Sequence, residues 1–282
     1  MGMRDHARAV RHRLRSGGRT LHTDLSSPVL ASAGRCPSCD QESRFVAKTD
    51  WLRDGFLCQR CASIPRERAV MLAIERFYPD WRDAVVHESS PSKRATSARL
   101  ARECRDYIPS QFFPDGQAGE HRDGYLHQDL EHQSFADGSI DLHVSQDVLE
   151  HVFDPAAVFA EVARTLKPGG MHIFTTPLVR KDQPSRRRAR LLDTGEVEHL
   201  LPAEFHGNPI SGEGSLVTVD WGFDIVEFIQ LASGLPTRMV VFDDLAHGIR
   251  AEYIEVLVTV KPLHEPGLAA ELDAARPHAE AR

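Results

Sequence analysis

Residues 139–177 read SIDLHVSQDVLEHVFDPAAVFAEVARTLKPGGMHIFTTP. Ile140, Leu142 and Val144 alternate with smaller or polar residues, which predicts a strand ending near Ser145. Asp154 stands where a helix N-cap belongs, and Pro155 suits the first helical position. Val158, Phe159, Val162, Ala163 and Leu166 recur at helical spacing and make one apolar stripe. Lys167 is expected to close the helix, Pro168-Gly169-Gly170 to turn the chain, and Met171 to Thr176 to form a second strand. Strand, crossover helix and strand imply an α/β architecture with a parallel sheet covered by helices.

The same stretch resembles the second half of a class I S-adenosylmethionine-dependent methyltransferase domain, in the subgroup with DVLEH after the fourth strand and LKPGG before the fifth. Upstream, Gln128-Asp129-Leu130 and Ser134-Phe135-Ala136-Asp137-Gly138-Ser139-Ile140-Asp141 are similar to that family's approach to the fourth strand. The resemblance implies a Rossmann-like doubly wound sheet, mostly parallel with an antiparallel last strand. It also implies that Asp129 accepts from the cofactor's adenine amino group while Leu130 lies against the ring; otherwise Asp129 is a helix cap. Gln146 and Asp147 fall at the carboxyl edge of the sheet, where open α/β folds bind ligands. His151 is expected one helical turn past Asp147, facing the same cleft.

The chain has 282 residues, 41% of them hydrophobic, enough to bury a real core. It contains no apolar run long enough to span a membrane and no apolar segment of the kind a secretory signal needs, so the cytoplasm is the expected location. A net charge of -7 gives no general attraction to phosphate backbones, so a nucleic-acid substrate would need a local basic patch.

Residues 1–30 carry Arg4, Arg8, Arg11, Arg13, Arg15 and Arg19 with few apolar residues, and read as a mobile basic arm or a short solvated helix. Cys36-Pro-Ser-Cys39 and Cys58-Gln-Arg-Cys61 follow, with a spacing suited to paired knuckles around one structural zinc ion. Reduced core cysteines or a redox pair are the alternative. We therefore expect a zinc ribbon over 31–64, stabilised largely by its ion. Cys104, without a partner, reads as a buried bystander. Ser63 is expected to cap a helix carrying Val70, Met71, Ile74 and Phe77, which joins the ribbon to the sheet. CxxC followed by SIPRERA resembles bacterial methyltransferases in which a ribbon with CPRCGSxxRHR precedes the catalytic domain; here Arg66 and Arg68 keep the basic character.

The methyltransferase domain is expected over 65–262. Ala84-Val85-Val86 is its first strand. Family members continue with a D-x-G-x-G loop that lets the backbone touch the cofactor, whereas this chain has His87-Glu88-Ser89-Ser90-Pro91-Ser92, without glycine. Ser89 or Ser90 can still meet the methionine carboxylate, and Glu88 the ammonium or sulfonium end; equally, the loop can be closed. A helix is expected over Lys93–Glu103 and strands near Tyr107-Ile108 and over Tyr125–Gln128. Ser110, Gln111 and Asp115 are the candidates for holding the ribose.

Residues 178–220 read as a long insertion, a candidate lid, with an arginine-rich run at Arg180, Lys181, Arg186, Arg187, Arg188 and Arg190 that either binds anions or is simply solvated. Glu198-His199 and the turn with Glu204, His206 and Asn208 suit an acceptor site. His206 is the first candidate base, with His199 and His151 behind it. Asp220-Trp221-Gly222 is expected to start a helix ending at Gly234, Met239–Phe242 and Tyr253–Val260 to be the last strands, and 263–282 to be a flexible tail. Together these readings predict an S-adenosylmethionine-dependent methyltransferase with a structural Zn2+, acting on a hydroxyl of a small molecule or glycan. The alternatives are an RNA methyltransferase gripping phosphate through ribbon and arginines, or a non-catalytic zinc-binding scaffold.

Overall fold

A computed structural model describes residues 27–207 and 214–263; the basic arm up to residue 26, Asn208 and the tail from residue 264 lie outside the described residues. Strands β1 (Leu30–Cys36), β2 (Gln41–Ala47) and β3 (Leu57–Cys58) form a three-stranded antiparallel sheet. Helix α1 (Pro65–Phe77) follows, with Val70, Met71 and Ile74 buried as their spacing predicts. Ser63 is not its cap. The N-cap is Ile64, whose N–H donates to the Glu67 carboxylate at 2.8 Å, while Ser63 turns inward to the cysteines.

The main sheet contains β4 (Val85–Ser89), β5 (Asp106–Gln111), β6 (Tyr125–His127), β7 (Ile140–Gln146), β8 (Leu166–Thr175), β9 (Thr237–Val240) and β10 (Val256–Val260). Its order is β9-β10-β8-β7-β4-β5-β6, with the two-residue strand His121–Arg122 outside β6. Strands β4 to β8 pair in parallel along this row, and β10 is antiparallel to both β8 and β9. The expected doubly wound sheet with one reversed final strand is present.

Helix α2 (Ala95–Glu103) precedes β5, and α3 (Pro155–Thr165) links β7 to β8. Asp154 caps α3 by accepting from the Ala156 and Ala157 N–H groups at 3.0 and 3.1 Å. The helix stops at Thr165, two residues before the predicted closing lysine. Leu166 already pairs with Ile140, so Pro168-Gly169-Gly170 is a bulge inside β8 and not a free turn. There Gly169 has φ of 81°, a conformation suited to glycine. The last helix, α4 (Ile225–Ser233), begins after the predicted Asp220-Trp221-Gly222 because Trp221 is instead buried in the core, its indole donating to the Leu149 carbonyl. Gly234 ends it with φ of 72°.

Two apolar layers flank the sheet. Val86, Leu142, Val144 and Ile173 pack on α1 on one side; Phe159, Val162, Trp221, Ile225 and Leu257 form the other. The cysteine-bearing sheet is docked on this body by Arg68, whose side chain is fully buried. Its guanidinium donates to the carbonyls of Phe56 and Gly248 at 2.7 and 2.5 Å and stacks on Phe45. A Cβ at Gly248 would meet that Phe45 ring at 2.3 Å, so only glycine lets the loop approach.

Candidate active site and cysteine cluster

Cys36, Cys39, Cys58 and Cys61 converge, with one sulfur of each within 4.8 Å of the others. The Cys36 and Cys61 sulfurs are 3.8 Å apart. Four thiolates at about 2.3 Å from a tetrahedral ion have neighbouring sulfurs about 3.8 Å apart, so the donor set and spacing fit zinc. Hydrogen bonds with Cys58 and Cys61 push the Cys36 thiol up, and burial raises Cys39 to about 11. Cys104 is buried on the main sheet against the Ala84 carbonyl.

At the carboxyl edge of β4 the chain departs from the expected loop. His87, Glu88 and Ser89 lie within the strand, and the turn begins at Ser90. Ser90 has φ of 52°, a left-handed conformation that a glycine adopts without strain. Ser89 and Pro91 are buried, and the Ser97 hydroxyl accepts from the Ser92 N–H. Glu88 is sealed beneath this turn. Its carboxylate accepts from Ser97 at 2.6 Å, Tyr107 at 2.7 Å and, more loosely, Gln146 at 3.4 Å. Burial pushes its pKa up to about 7. Ser110 is also occupied, its hydroxyl 2.7 Å from His87 Nε2.

The remaining predicted cofactor residues reach the rim. Asp129 is partly exposed, and its carboxylate accepts from the Glu131 N–H at 2.9 Å, so it caps a turn. Leu130 follows it, partly buried. Gln146 Oε1 is buried and unpartnered. Gln146 Oε1 is thus an acceptor free for a ligand group at the end of β7, whereas Glu88 and Ser110 are engaged inside. Asp147 is held by the N-terminal module: Arg53 lies at 2.5 Å and Arg66 at 3.2 Å, and Thr175 donates a hydrogen bond. Burial alone would raise its pKa, but Arg66 and Arg53 outweigh it and hold the carboxyl below the usual range.

The turn after Asp147 is not helical, contrary to expectation. It is clamped by the insertion: the Thr218 N–H and hydroxyl donate to the Glu150 carbonyl, and His151 Nδ1 lies 2.8 Å from the Leu216 carbonyl. Phe205–His206 pairs with Ser215–Leu216, which brings His206 to the same place. His151 Nε2 and His206 Nδ1 each stand 3.7 Å from Glu150 Oε1. The other Glu150 oxygen accepts from Thr176 at 3.0 Å. The nearby Glu150 carboxylate raises the His206 pKa against the opposing pull of burial. The predicted His206 and His151 therefore meet around Glu150, a residue the sequence reading quoted but did not single out. His199 lies elsewhere, exposed on a hairpin and paired with Ala189.

The insertion is more ordered than a lid. It contains paired strands Arg186–Arg187 with Val219–Asp220 and Ala189–Leu191 with Val197–His199. Four of its arginines are already engaged: Arg186 and Arg188 bind Asp220, Arg190 binds Glu198, and Arg187 donates to the Phe153 carbonyl outside the insertion.

A further feature was not foreseen. His87, His143 and His172 are register partners on β4, β7 and β8 and form a row buried in the sheet. His87 Nδ1 is 2.8 Å from His143 Nδ1, and His143 Nε2 is 2.9 Å from the Thr165 hydroxyl. Because Thr165 donates to the Glu161 carbonyl, it accepts from His143 Nε2–H. His143 Nδ1 then accepts from His87 Nδ1–H, and His87 Nε2 accepts from Ser110. Burial lowers His87 and His172 to about 3 and His143 well below its ordinary value, so all three are neutral.

Residues 99–174 match the sequence model of a family described as "Methyltransferase domain". The match runs from α2 to the end of β8 and leaves out β4 and its serine turn. Over 49 residues, 17% of this chain and 18% of the other, the sequence is 52% identical to dimethylglycine N-methyltransferase of Parasynechococcus marenigrum (strain WH8102). Similar solved structures include an S-adenosylmethionine-dependent methyltransferase from Mesorhizobium loti (15% identity, 68% of this chain and 97% of that one, TM-score 0.45). Another is a putative sarcosine dimethylglycine methyltransferase from Galdieria sulphuraria (15% identity, 70% and 85%, TM-score 0.42). The strand order and the reversed β10 make a Rossmann-like doubly wound fold, and the segment 99–174 within it matches a methyltransferase domain.

Proposed function

We propose that the protein transfers a methyl group from S-adenosylmethionine to a hydroxyl of a small molecule or glycan. The observation that carries this reading is that the matched segment contains both rim turns, Asp129-Leu130 and Gln146–His151. The cofactor supplies an activated methyl on its sulfonium. Asp129 and Leu130 bind the adenine, as the family resemblance implies, and Ser90 and Gln146 orient the methionine end. Glu150, His151 and His206 face the acceptor. A hydroxyl must lose a proton as it attacks, and a carboxylate with two imidazoles suits that need. Glu150 and Leu216 hold the rings in place, and His206 takes the proton. Positioning alone can supply about 7–11 kcal/mol of the barrier.

The four cysteines hold a structural Zn2+ with no open position, which fixes the ribbon and, through Arg68, its seat on the sheet. An RNA substrate is disfavoured because the insertion's arginines are already bound to carboxylates and carbonyls. Calorimetric titration with S-adenosylmethionine tests the reading: saturable binding that weakens in Asp129→Ala is expected. Absence of binding heat would leave the zinc-bearing scaffold. Formation of S-adenosylhomocysteine with a panel of hydroxyl and amine acceptors then identifies the acceptor atom.

A further inference from the structure

We infer that Glu150, His151 and His206 form a second metal site, which binds a divalent transition ion through two imidazoles and one carboxylate. Three features point there. Glu150 Oε1 is 2% exposed, unpartnered, and aimed between the two rings at 3.7 Å from each. With bonds of about 2.1 Å, ligand atoms around a tetrahedral ion are about 3.4 Å apart, so a contraction of about 0.3 Å brings each imidazole nitrogen to that distance from the carboxylate oxygen, and all three atoms already lie within 4.8 Å of one another. The rings are also oriented as ligands are. His151 spends Nδ1–H on the Leu216 carbonyl, which leaves the Nε2 lone pair facing Glu150. His206 turns Nδ1 to Glu150 and has Glu204 3.9 Å from Nε2. The carbonyl behind His151 is the arrangement that sets the tautomer of a metal-bound histidine, whereas the Glu204 oxygen stands beyond hydrogen-bond reach of His206. Finally, the site is built from two segments locked together, since Glu150 and His151 hang on the insertion through Thr218 and Leu216.

Two histidines and one carboxylate leave coordination positions open, unlike the closed cysteine set, and suit Zn2+, Co2+ or Fe2+ over Mg2+ or Ca2+. The existence of the site does not rest on the methyltransferase reading; its role does. In that reading the ion would take the acceptor oxygen and lower the pKa of its hydroxyl, replacing proton transfer to His206, whose Nδ1 it would occupy.

Cobalt titration of the full chain, followed by absorption, tests the site apart from activity. Thiolate-bound Co2+ shows intense ligand-to-metal charge transfer, whereas a nitrogen–oxygen site shows only weak visible bands. The expected result is a saturable visible band, without charge-transfer intensity, that disappears in Glu150→Gln and in His206→Ala while the circular dichroism of both variants stays native. His206 is on a partly exposed strand, so that variant remains informative should Glu150→Gln fold poorly. No such band in the unsubstituted protein, or a band that survives both substitutions, overturns the site and leaves a plain Glu150–His206 ion pair. S-adenosylmethionine binding measured on the same preparations is read separately, so failure of the cofactor reading and failure of the metal site cannot be confused.

Discussion

The row His87–His143–His172 and the cluster Glu150–His151–His206 use the same side chain in opposite surroundings. The row is sealed between strands: hydrogen bonds run in one direction from Ser110 through His87 and His143 to the Glu161 carbonyl, while His172 meets Ser145. The cluster lies at the rim, where His206 is partly exposed and a carboxylate points at both rings without a hydrogen-bond partner on Oε1. Burial drives the first set toward the neutral form. A neighbouring negative charge drives His206 toward the charged one. Position in the sheet, more than residue type, thus decides whether a histidine serves as polar packing or as a reactive group.

The largest expected effect tests the sealed row. A group whose folded pKa is depressed contributes stability above its unfolded pKa and loses it as pH falls toward the folded value. His87 and His172, lowered from 6.5 to about 3, should therefore destabilise the protein progressively below about pH 6.5. For the two together the loss should reach on the order of 4 kcal/mol by pH 5. Urea unfolding at pH 7.5, 6 and 5 measures it, and a midpoint indifferent to pH would show that the row is hydrated or differently paired.

His143→Ala breaks the row at its middle. It opens a cavity and leaves His87 Nδ1–H and Thr165 without their partner, with an expected cost of about 3 kcal/mol. His206→Ala is the mirror experiment: stability should change by less than about 1 kcal/mol, while turnover falls roughly 10²–10⁴-fold with cofactor affinity intact. Steady-state rates beside calorimetry decide it. Equal loss of turnover and affinity would remove His206 from the acceptor side.

How much of this contrast the chain disclosed in advance depends on the range of the interaction. Asp154-Pro155, the stripe on α3 and the two CxxC pairs are local signals, so the crossover unit and the cysteine cluster were legible. His151 and His206 were each singled out as candidate bases, but that they meet, and do so around Glu150, was not legible in DVLEH or in the distant turn. What stayed hidden was cross-strand. Val-His-Glu, Leu-His-Val and Met-His-Ile look like three unrelated strands until the register aligns His87, His143 and His172. Asp147 likewise read as a ligand-edge acid, and only the docking of the N-terminal module shows its carboxylate neutralised by Arg53 and Arg66. Glu88 was read as a loop residue because a glycine-free turn was taken to start early; β4 instead continues through Ser89 and takes the carboxylate inside.

That buried Glu88 supplies the finest test, because its pH dependence has the opposite sign. Its folded pKa is raised from 4.5 to about 7, so the folded state holds a proton that the unfolded state releases between those values. The stability it contributes is complete below about pH 4.5 and is lost as pH rises through about 7, an effect of order 3 kcal/mol. Over that window Glu88 therefore offsets part of the acid loss caused by the histidines, and the unsubstituted protein should show a flattened stability profile. Glu88→Gln keeps an acceptor for one of Ser97 and Tyr107 and offers an N–H to the other, as the protonated carboxyl does, but cannot ionise. It should be more stable than the parent near pH 7.5 and show a steeper decline toward pH 5. Parallel profiles for the two proteins would mean that Glu88 is charged throughout and that the turn after β4 is open to water, which would also reopen the inner edge of β4 to a bound cofactor.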